Sequence, residues 1–76
     1  MASILGVQCF LAREALGWTM KHLASVAEVS PGSVAHFERG GTVKASTLEA
    51  IPRTLEEAGV IFIDANDGGP GARLRN

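Results

Sequence analysis

Apolar side chains recur every three or four residues over most of the first 59 positions, a period typical of amphipathic helices. A first helix is predicted over about residues 7–16, and Gly17 supplies its C-terminal stop. Thr19 is a suitable N-cap for a second helix. The residues expected to point inward from these two helices are Cys9, Ala12, Leu16, Leu23, Ala24 and Ala27.

A third helix is predicted to start at Ser30, because Ser is a favoured N-cap and Pro31 fits the first helical position, where no N–H is needed. Val34 and Phe37 should point inward, and Gly40 with Gly41 should end the helix. Ser33 and His36 share the opposite face.

The fourth helix is predicted to begin with a capping box formed by Ser46 and Glu49. Its inward side should carry Leu48, Ile51, Leu55 and Ala58. Pro52 lies inside this run, where it removes one backbone hydrogen bond. We therefore expect a kink or a break near Ile51.

After Gly59 the pattern changes to that of strands. Val60–Ile63 is β-branched and aromatic, residues 66–69 favour a turn, and residues 72–75 alternate, which predicts a β-hairpin. An isolated hairpin is only marginally stable in water, so it should pack on the helices. Because the first strand is apolar on both faces, we also expect Val60, Ile61, Phe62 and Ile63 to form a dimerisation element.

Composition narrows the classes of function. A chain of 76 residues with a formal net charge of −1 forms one small domain and is not a general polycation that coats nucleic acid, although residues 1–44 are slightly basic and residues 45–76 acidic. Cys9 is the only cysteine, which favours a reducing compartment and a small buried hydrophobe over a nucleophile. No catalytic cluster, metal-ligand set or cofactor motif is predicted. Without a signal or membrane-spanning pattern, we expect a cytoplasmic, non-enzymatic protein.

The segment from Thr19 to Arg39 has the layout of a helix-turn-helix. Residues along nearly the whole chain fit one known pattern: Gln8, Cys9, Ala12, Arg13, Leu16 to Thr19, Leu23, Ala24, Val29, Ser30, Val34, Phe37 to Gly40, Leu48, Leu55, Glu56, Ala58 to Val60, Gly68 to Gly71 and Arg73 to Arg75. With these residues the chain resembles small bacterial regulators of the XRE, lambda-repressor-like family. The resemblance implies an all-α, four-helix domain over residues 1–59, with a C-terminal strand or hairpin over residues 60–76 as part of the same domain.

In such regulators the second helix crosses the DNA backbone and the third enters the major groove. The resemblance accordingly assigns contacts with DNA to nine positions. They are Thr19, Met20 and Lys21 for phosphate, Pro31, Gly32, Ser33 and His36 for bases, and Arg39 and Lys44 for the flanking backbone. It also implies a structural ion pair between Arg13 and Glu38.

Several positions depart from the family pattern. Met20 replaces a phosphate-binding glutamine. Pro31 and Gly32 stand where relatives carry long polar side chains, whose bidentate contacts each discriminate against the wrong base by about 1 to 3 kcal/mol. Direct readout is then reduced to Ser33 and His36. Glu28 occupies a turn position that usually holds glycine.

Two interpretations accommodate these departures. The first is a dimeric repressor of double-stranded DNA that reads a palindromic operator, with part of its specificity from DNA shape and half-site spacing. The second is a degenerate module of the same fold that acts as an antiactivator or interaction domain: it binds a protein partner without reading DNA.

Overall fold

A computed structural model of the chain describes residues 4–64, 66 and 68–75. It contains four helices followed by a two-stranded antiparallel sheet, which confirms the predicted fold class. The elements are α1 (Gly6–Leu16), α2 (Met20–Ala27), α3 (Pro31–Glu38), α4 (Ala45–Glu57), β1 (Val60–Ile63) and β2 (Gly71–Leu74). None of the described helices is long and apolar enough to cross a membrane.

The predicted helix boundaries in the first half of the chain are confirmed. Gly17 ends α1 in the left-handed conformation (φ 71°). Thr19 Oγ1 accepts a hydrogen bond from the His22 N–H at 3.0 Å and caps α2. Ser30 Oγ accepts one from the Ser33 N–H at 3.1 Å and caps α3, whose first residue is Pro31. Side-chain caps therefore fix where α2 and α3 start.

The start of α4 differs from the prediction. Lys44 is its N-cap and has no side-chain acceptor, so the capping box expected from Ser46 and Glu49 is wrong. The Lys44 carbonyl instead accepts from the N–H groups of Thr47 (3.0 Å) and Leu48 (3.1 Å). With this earlier start, Ser46 lies inside the first turn, where its hydroxyl is not needed as a cap, and Thr47 is buried.

Two further expectations about α4 are corrected. Leu48 was expected to point inward, but it is 44% exposed, and its neighbour Thr47 is buried in its place. The helix also does not break near Ile51; it runs without interruption through Pro52, whose side chain is fully buried. Because the Pro52 ring packs in the core, it offsets part of the cost of the missing N–H.

The hairpin has the predicted antiparallel arrangement, with Val60 opposite Leu74 and Ile63 opposite Gly71. Gly68 has a positive φ of 93° in the connecting turn, and Asp67, also assigned to that turn, lies outside the described residues. The two faces of β1 have different surroundings. Val60 belongs to the buried core and Phe62 packs against it, whereas Ile61 and Ile63 lie on the opposite face.

One core joins the helices to the inner face of the hairpin. Its buried hydrophobic members are Ile4, Cys9, Ala12, Leu23, Ala24, Ala27, Val34, Phe37, Ile51, Leu55 and Val60. Gln8 adds a polar link: its Nε2 donates to the carbonyls of Ile63 (3.1 Å) and Gly71 (3.2 Å), and its Oε1 accepts from the Leu5 N–H at 2.8 Å. A single buried side chain thus caps α1 and attaches both strands to it.

Candidate nucleic-acid interface

α2 and α3 are joined by a three-residue turn, residues 28–30. The Val29 N–H donates to the Ala24 carbonyl at 2.9 Å, and Val29 packs against the core, so the turn is held to α2. Glu28 ends α2 in the left-handed conformation (φ 61°, ψ 42°), the conformation expected from the usual glycine at this position. The turn therefore keeps its geometry although a side chain is present, at a cost in backbone strain.

Arg13 and Glu38, which the resemblance paired, form a bidentate ion pair. Arg13 Nε lies 2.8 Å from Glu38 Oε2, and Nη2 lies 3.0 Å from Oε1, with both side chains over 90% buried. Arg13 Nη1 also donates to the Trp18 carbonyl at 2.9 Å. One guanidinium thus joins α1, the residue before the cap of α2, and the last residue of α3.

Cys9 completes this buried cluster, because its thiol lies 3.3 Å from Glu38 Oε2 and donates to it. Burial, followed by the hydrogen bond and the negative charge of Glu38, raises the pKa of the Cys9 thiol well above its ordinary value. The hydrogen bond to Glu38 likewise raises the pKa of Arg13. The thiol stays protonated and the guanidinium charged, so the cluster holds α3 in place and supplies no nucleophile.

The exposed side of α3 carries the positions assigned to base contact. Pro31, Gly32 and His36 are exposed and Ser33 is half-buried, while Val34 and Phe37 on the other side are buried. The Ser33 hydroxyl lies 2.8 Å from that of Ser30. Since either hydroxyl can donate in that contact, the pair keeps one donor for another acceptor.

The position of the His36 ring depends on Gly41, which was expected only to help end α3. A Cβ on Gly41 would overlap His36 Cε1 and Nε2, so the imidazole occupies the space that any larger residue at 41 would fill. The Gly41 N–H also donates to the His36 carbonyl at 2.9 Å. The paired glycines after the helix were the only signal of this contact in the sequence.

Lys44 and Ser33, assigned to backbone and bases respectively, line one cavity of about 280 Å³ between the turn, α3 and α4. Its other walls are Glu28, Val29, Ser30, Ser46 and Thr47. Lys44 is exposed, and the first turn of α4 has no side-chain cap. The Lys44 ammonium and the uncapped start of α4 therefore lie beside the exposed side of α3, and the Glu28 carboxylate lies in the same cavity.

The remaining assigned positions have separate surroundings. Thr19 and Lys21 are exposed at the start of α2, and Arg39 is exposed at the end of α3. Met20 is half-buried and packs against the core, so only part of its side chain is available for a phosphate contact. In the described part of the chain, no hydrogen bond or ion pair links Thr19, Met20 or Lys21 to the other six assigned positions.

Among the described residues, no group of three or more His, Cys, Asp or Glu side chains comes together that could hold a metal ion. Near α3, the polar side chains of Ser33 and His36 lie on its exposed side, and Lys44 lies beside Ser33 at the start of α4.

The fold and this site define a helix-turn-helix domain, in which α2 and α3 are the two helices of the motif. A family model described as Helix-turn-helix matches residues 11–58, well over half of the chain. The chain belongs to this family, the XRE-like helix-turn-helix regulators, which bind DNA. No curated protein matches the chain.

Proposed function

We propose that the protein is a repressor that binds an inverted repeat in double-stranded DNA as a homodimer, with α3 in the major groove. The observation that carries this proposal is the exposed, uncharged start of α3 on a helix whose other end is fixed by the buried Arg13–Glu38 pair. Exposed Pro31 and Gly32 leave little bulk there, so the helix can approach base edges closely.

The cavity beside Lys44 supports a phosphate contact next to the reading side of α3. The Lys44 ammonium, the Ser46 hydroxyl and the free amides at the uncapped start of α4 can together bind one phosphate of the DNA backbone. In this proposal, the exposed residues Thr19 and Lys21 at the start of α2 and Arg39 after α3 contact other phosphates. Glu28 in the same cavity opposes the contact near Lys44.

Base reading in this proposal depends on few groups. The hydroxyl pair of Ser30 and Ser33 offers one donor, and His36 offers its ring nitrogens. Neither forms the bidentate contact by which Arg or Gln selects a base pair. Sequence preference should therefore also come from DNA shape and from the fixed distance between the two α3 helices of a dimer.

The dimerisation element proposed from the sequence, Val60 to Ile63, has two faces with different surroundings in the monomer. Val60 and Phe62 contribute to the monomer core, which leaves Ile61 and Ile63 for contact with a second copy. Substitution of Phe62 would therefore disturb the core itself. A dimer bound over a promoter blocks polymerase without a further contact surface, which supports repression over activation.

Fluorescence anisotropy with duplex DNA from the upstream region of its own gene tests DNA reading, with scrambled duplex as competitor and a salt series. We expect sequence preference and an affinity that falls as salt rises. His36→Ala should relax the preference among duplexes, whereas Lys44→Ala should weaken binding to all of them about equally. Arg53→Ala, an exposed change on α4, is the matched control and should leave binding unchanged.

A second candidate function is binding of a protein partner without DNA reading. It is favoured by the exposed apolar residues Val7, Phe10 and Leu11 on α1, which is unusual for a helix with one face already in the core. A folded protein that shows no duplex preference even at low salt would support this second function and contradict the first.

A further inference from the structure

We propose that two copies of this chain pair through the outer edge of β1, antiparallel and centred on Ile61, to form a four-stranded sheet of order β2-β1-β1-β2. This inference rests on the proposed homodimer and specifies its interface. It predicts which backbone groups, side chains and charges meet across the two-fold axis.

The first support is the hydrogen-bond pattern of the hairpin. The Arg75 N–H donates to the Gly59 carbonyl at 2.7 Å, and hydrogen-bonded pairs recur at every second position of an antiparallel ladder. The bonded pairs are therefore Ile61 with Arg73 and Ile63 with Gly71. Val60 and Phe62 direct their N–H and C=O groups away from β2, and these groups have no hydrogen-bond partner within the described part of the chain.

The second support is the difference between the two edges of the sheet. On β2 the outward carbonyl of Leu74 already accepts from Arg73 Nη1 at 3.3 Å, and charged residues of this kind protect a strand edge from pairing. β1 contains no charged residue and no proline. A groove of about 350 Å³ lies along β1 and is lined by Val60, Ile61 and Phe62, with Ile4 and Glu56 also in its wall. Within the described residues, no backbone group pairs with this edge.

The third support is that β1 is complementary to itself. With Ile61 on the two-fold axis, Val60 of each copy lies opposite Phe62 of the other, and all four outward backbone groups of each copy find partners. The Ile61 side chains then meet on the outward face, where they lose contact with water. No other register of β1 pairs all of these groups.

The charges along the groove also support a second copy of this chain as the partner of β1. The charged residues that line the groove are Asp64 at one end of β1, Arg75, which pairs with Gly59, at the other end, and Glu56 on α4. Antiparallel pairing brings Asp64 of each copy to the end of the groove that holds Arg75 of its partner. Gly59 has no side chain, so the arginine can extend across it toward the partner.

Cysteine cross-linking tests this register. In the proposed dimer the Cα atoms of residue 61 and its symmetry mate form a non-hydrogen-bonded pair about 4.5 Å apart, within the range of a disulfide. Ile61→Cys should therefore form a covalent dimer under a mild oxidant. Ile63→Cys is the matched control on the same face. In the proposed dimer the two copies of residue 63 are offset by four residues along the strands, so their Cα atoms lie about 13 Å apart and should cross-link at least about tenfold more slowly.

Charge reversal is the second measurement, because it leaves the strand unchanged. Asp64→Arg and Arg75→Asp should each raise the dimer dissociation constant about tenfold in sedimentation equilibrium, and the double variant should return it close to the parent value. Glu49→Arg, an exposed reversal on α4, should have no effect.

Three results would overturn the pairing. Equal cross-linking of the two cysteine variants would contradict the register, and a dimer without cross-linking at Ile61 would place the interface elsewhere and leave the proposed function intact. A monomer at all concentrations would overturn both the pairing and the proposed dimer. Anisotropy with a duplex half-site would show separately whether α3 reads DNA.

Discussion

Glu28 is the residue at which backbone geometry and residue type conflict. It holds the left-handed conformation (φ 61°) at the end of α2, which costs an L-residue about 1 to 2 kcal/mol. Glu28→Gly should stabilise the fold by about 0.5 to 1 kcal/mol, because the greater freedom of glycine in the unfolded chain cancels part of the relief.

Thermal unfolding measures this effect, and the melting temperature should rise by a few degrees for a domain of this size. Glu28→Ala is the matched control, since it removes the same charge but keeps a Cβ. An equal gain from alanine would show that charge, and not backbone strain, limits the stability.

Cys9 makes stability depend on pH in the alkaline range. Its thiol pKa is raised in the folded state, so above about pH 9 the unfolded chain loses this proton while the folded chain keeps it. Folding stability should therefore be fully present below that pH and should fall above it by up to about 1.4 kcal/mol per pH unit.

Urea unfolding at several pH values between 7.5 and 10.5, under reducing conditions, tests this dependence. Cys9→Ala lacks the thiol, so its stability should fall less steeply even if its value at neutral pH is lower. Parallel curves for the two proteins would show that the buried thiol does not cause the alkaline loss.

Gln8 is the residue through which two elements are joined, since its amide links α1 to both strands of the hairpin. Gln8→Glu keeps an acceptor for the Leu5 N–H but replaces the donor to the two carbonyls with a negatively charged oxygen. The hairpin should lose about 1 to 3 kcal/mol of local stability, while the start of α1 is retained.

Amide hydrogen exchange resolves these two effects, because protection should fall at Ile63 and Gly71 and persist in α1. Gln8→Ala removes both functions and should also weaken the first turn of the helix. Unchanged protection in the hairpin of Gln8→Glu would mean that apolar packing alone holds the strands on the helices.

The elements themselves were largely predictable, because caps and periodicity are local properties. Thr19, Ser30 and Pro31 fix helix starts through groups only one to three residues away, and the structure confirms them. The predicted start of α4 was wrong because it does not depend on local groups alone. A sequence pattern favoured Ser46 as a cap, but burial of Thr47, a tertiary effect, set the helix to begin at Ala45.

The site was predictable only where the family pattern named a residue. Arg13 and Glu38 lie 25 positions apart, and the resemblance alone paired them. The contact of His36 with Gly41, and the cavity that joins Lys44 to Ser33, depend on how the loop after α3 folds back. No periodicity encodes that path, so these features were visible only in three dimensions.

At the scale of the whole molecule, a formal net charge of −1 means that affinity for DNA must come from the placement of a few cations. Lys21 lies in the first turn of α2, Arg39 follows α3 and Lys44 precedes α4, and all three are exposed. If each neutralises one phosphate, a dimer makes six such contacts and log K should fall with log salt with a slope of about −5.

Lys44→Ala removes one of these contacts from each protomer, so the slope should become shallower by about 2 while the order of preferred duplexes is unchanged. Arg53→Ala removes an equal charge from a part of α4 outside the proposed interface and should leave the slope unchanged. An equal change in both variants would mean that overall charge, and not the cavity beside α3, sets the affinity, and the docking of α4 against the DNA backbone would then be wrong.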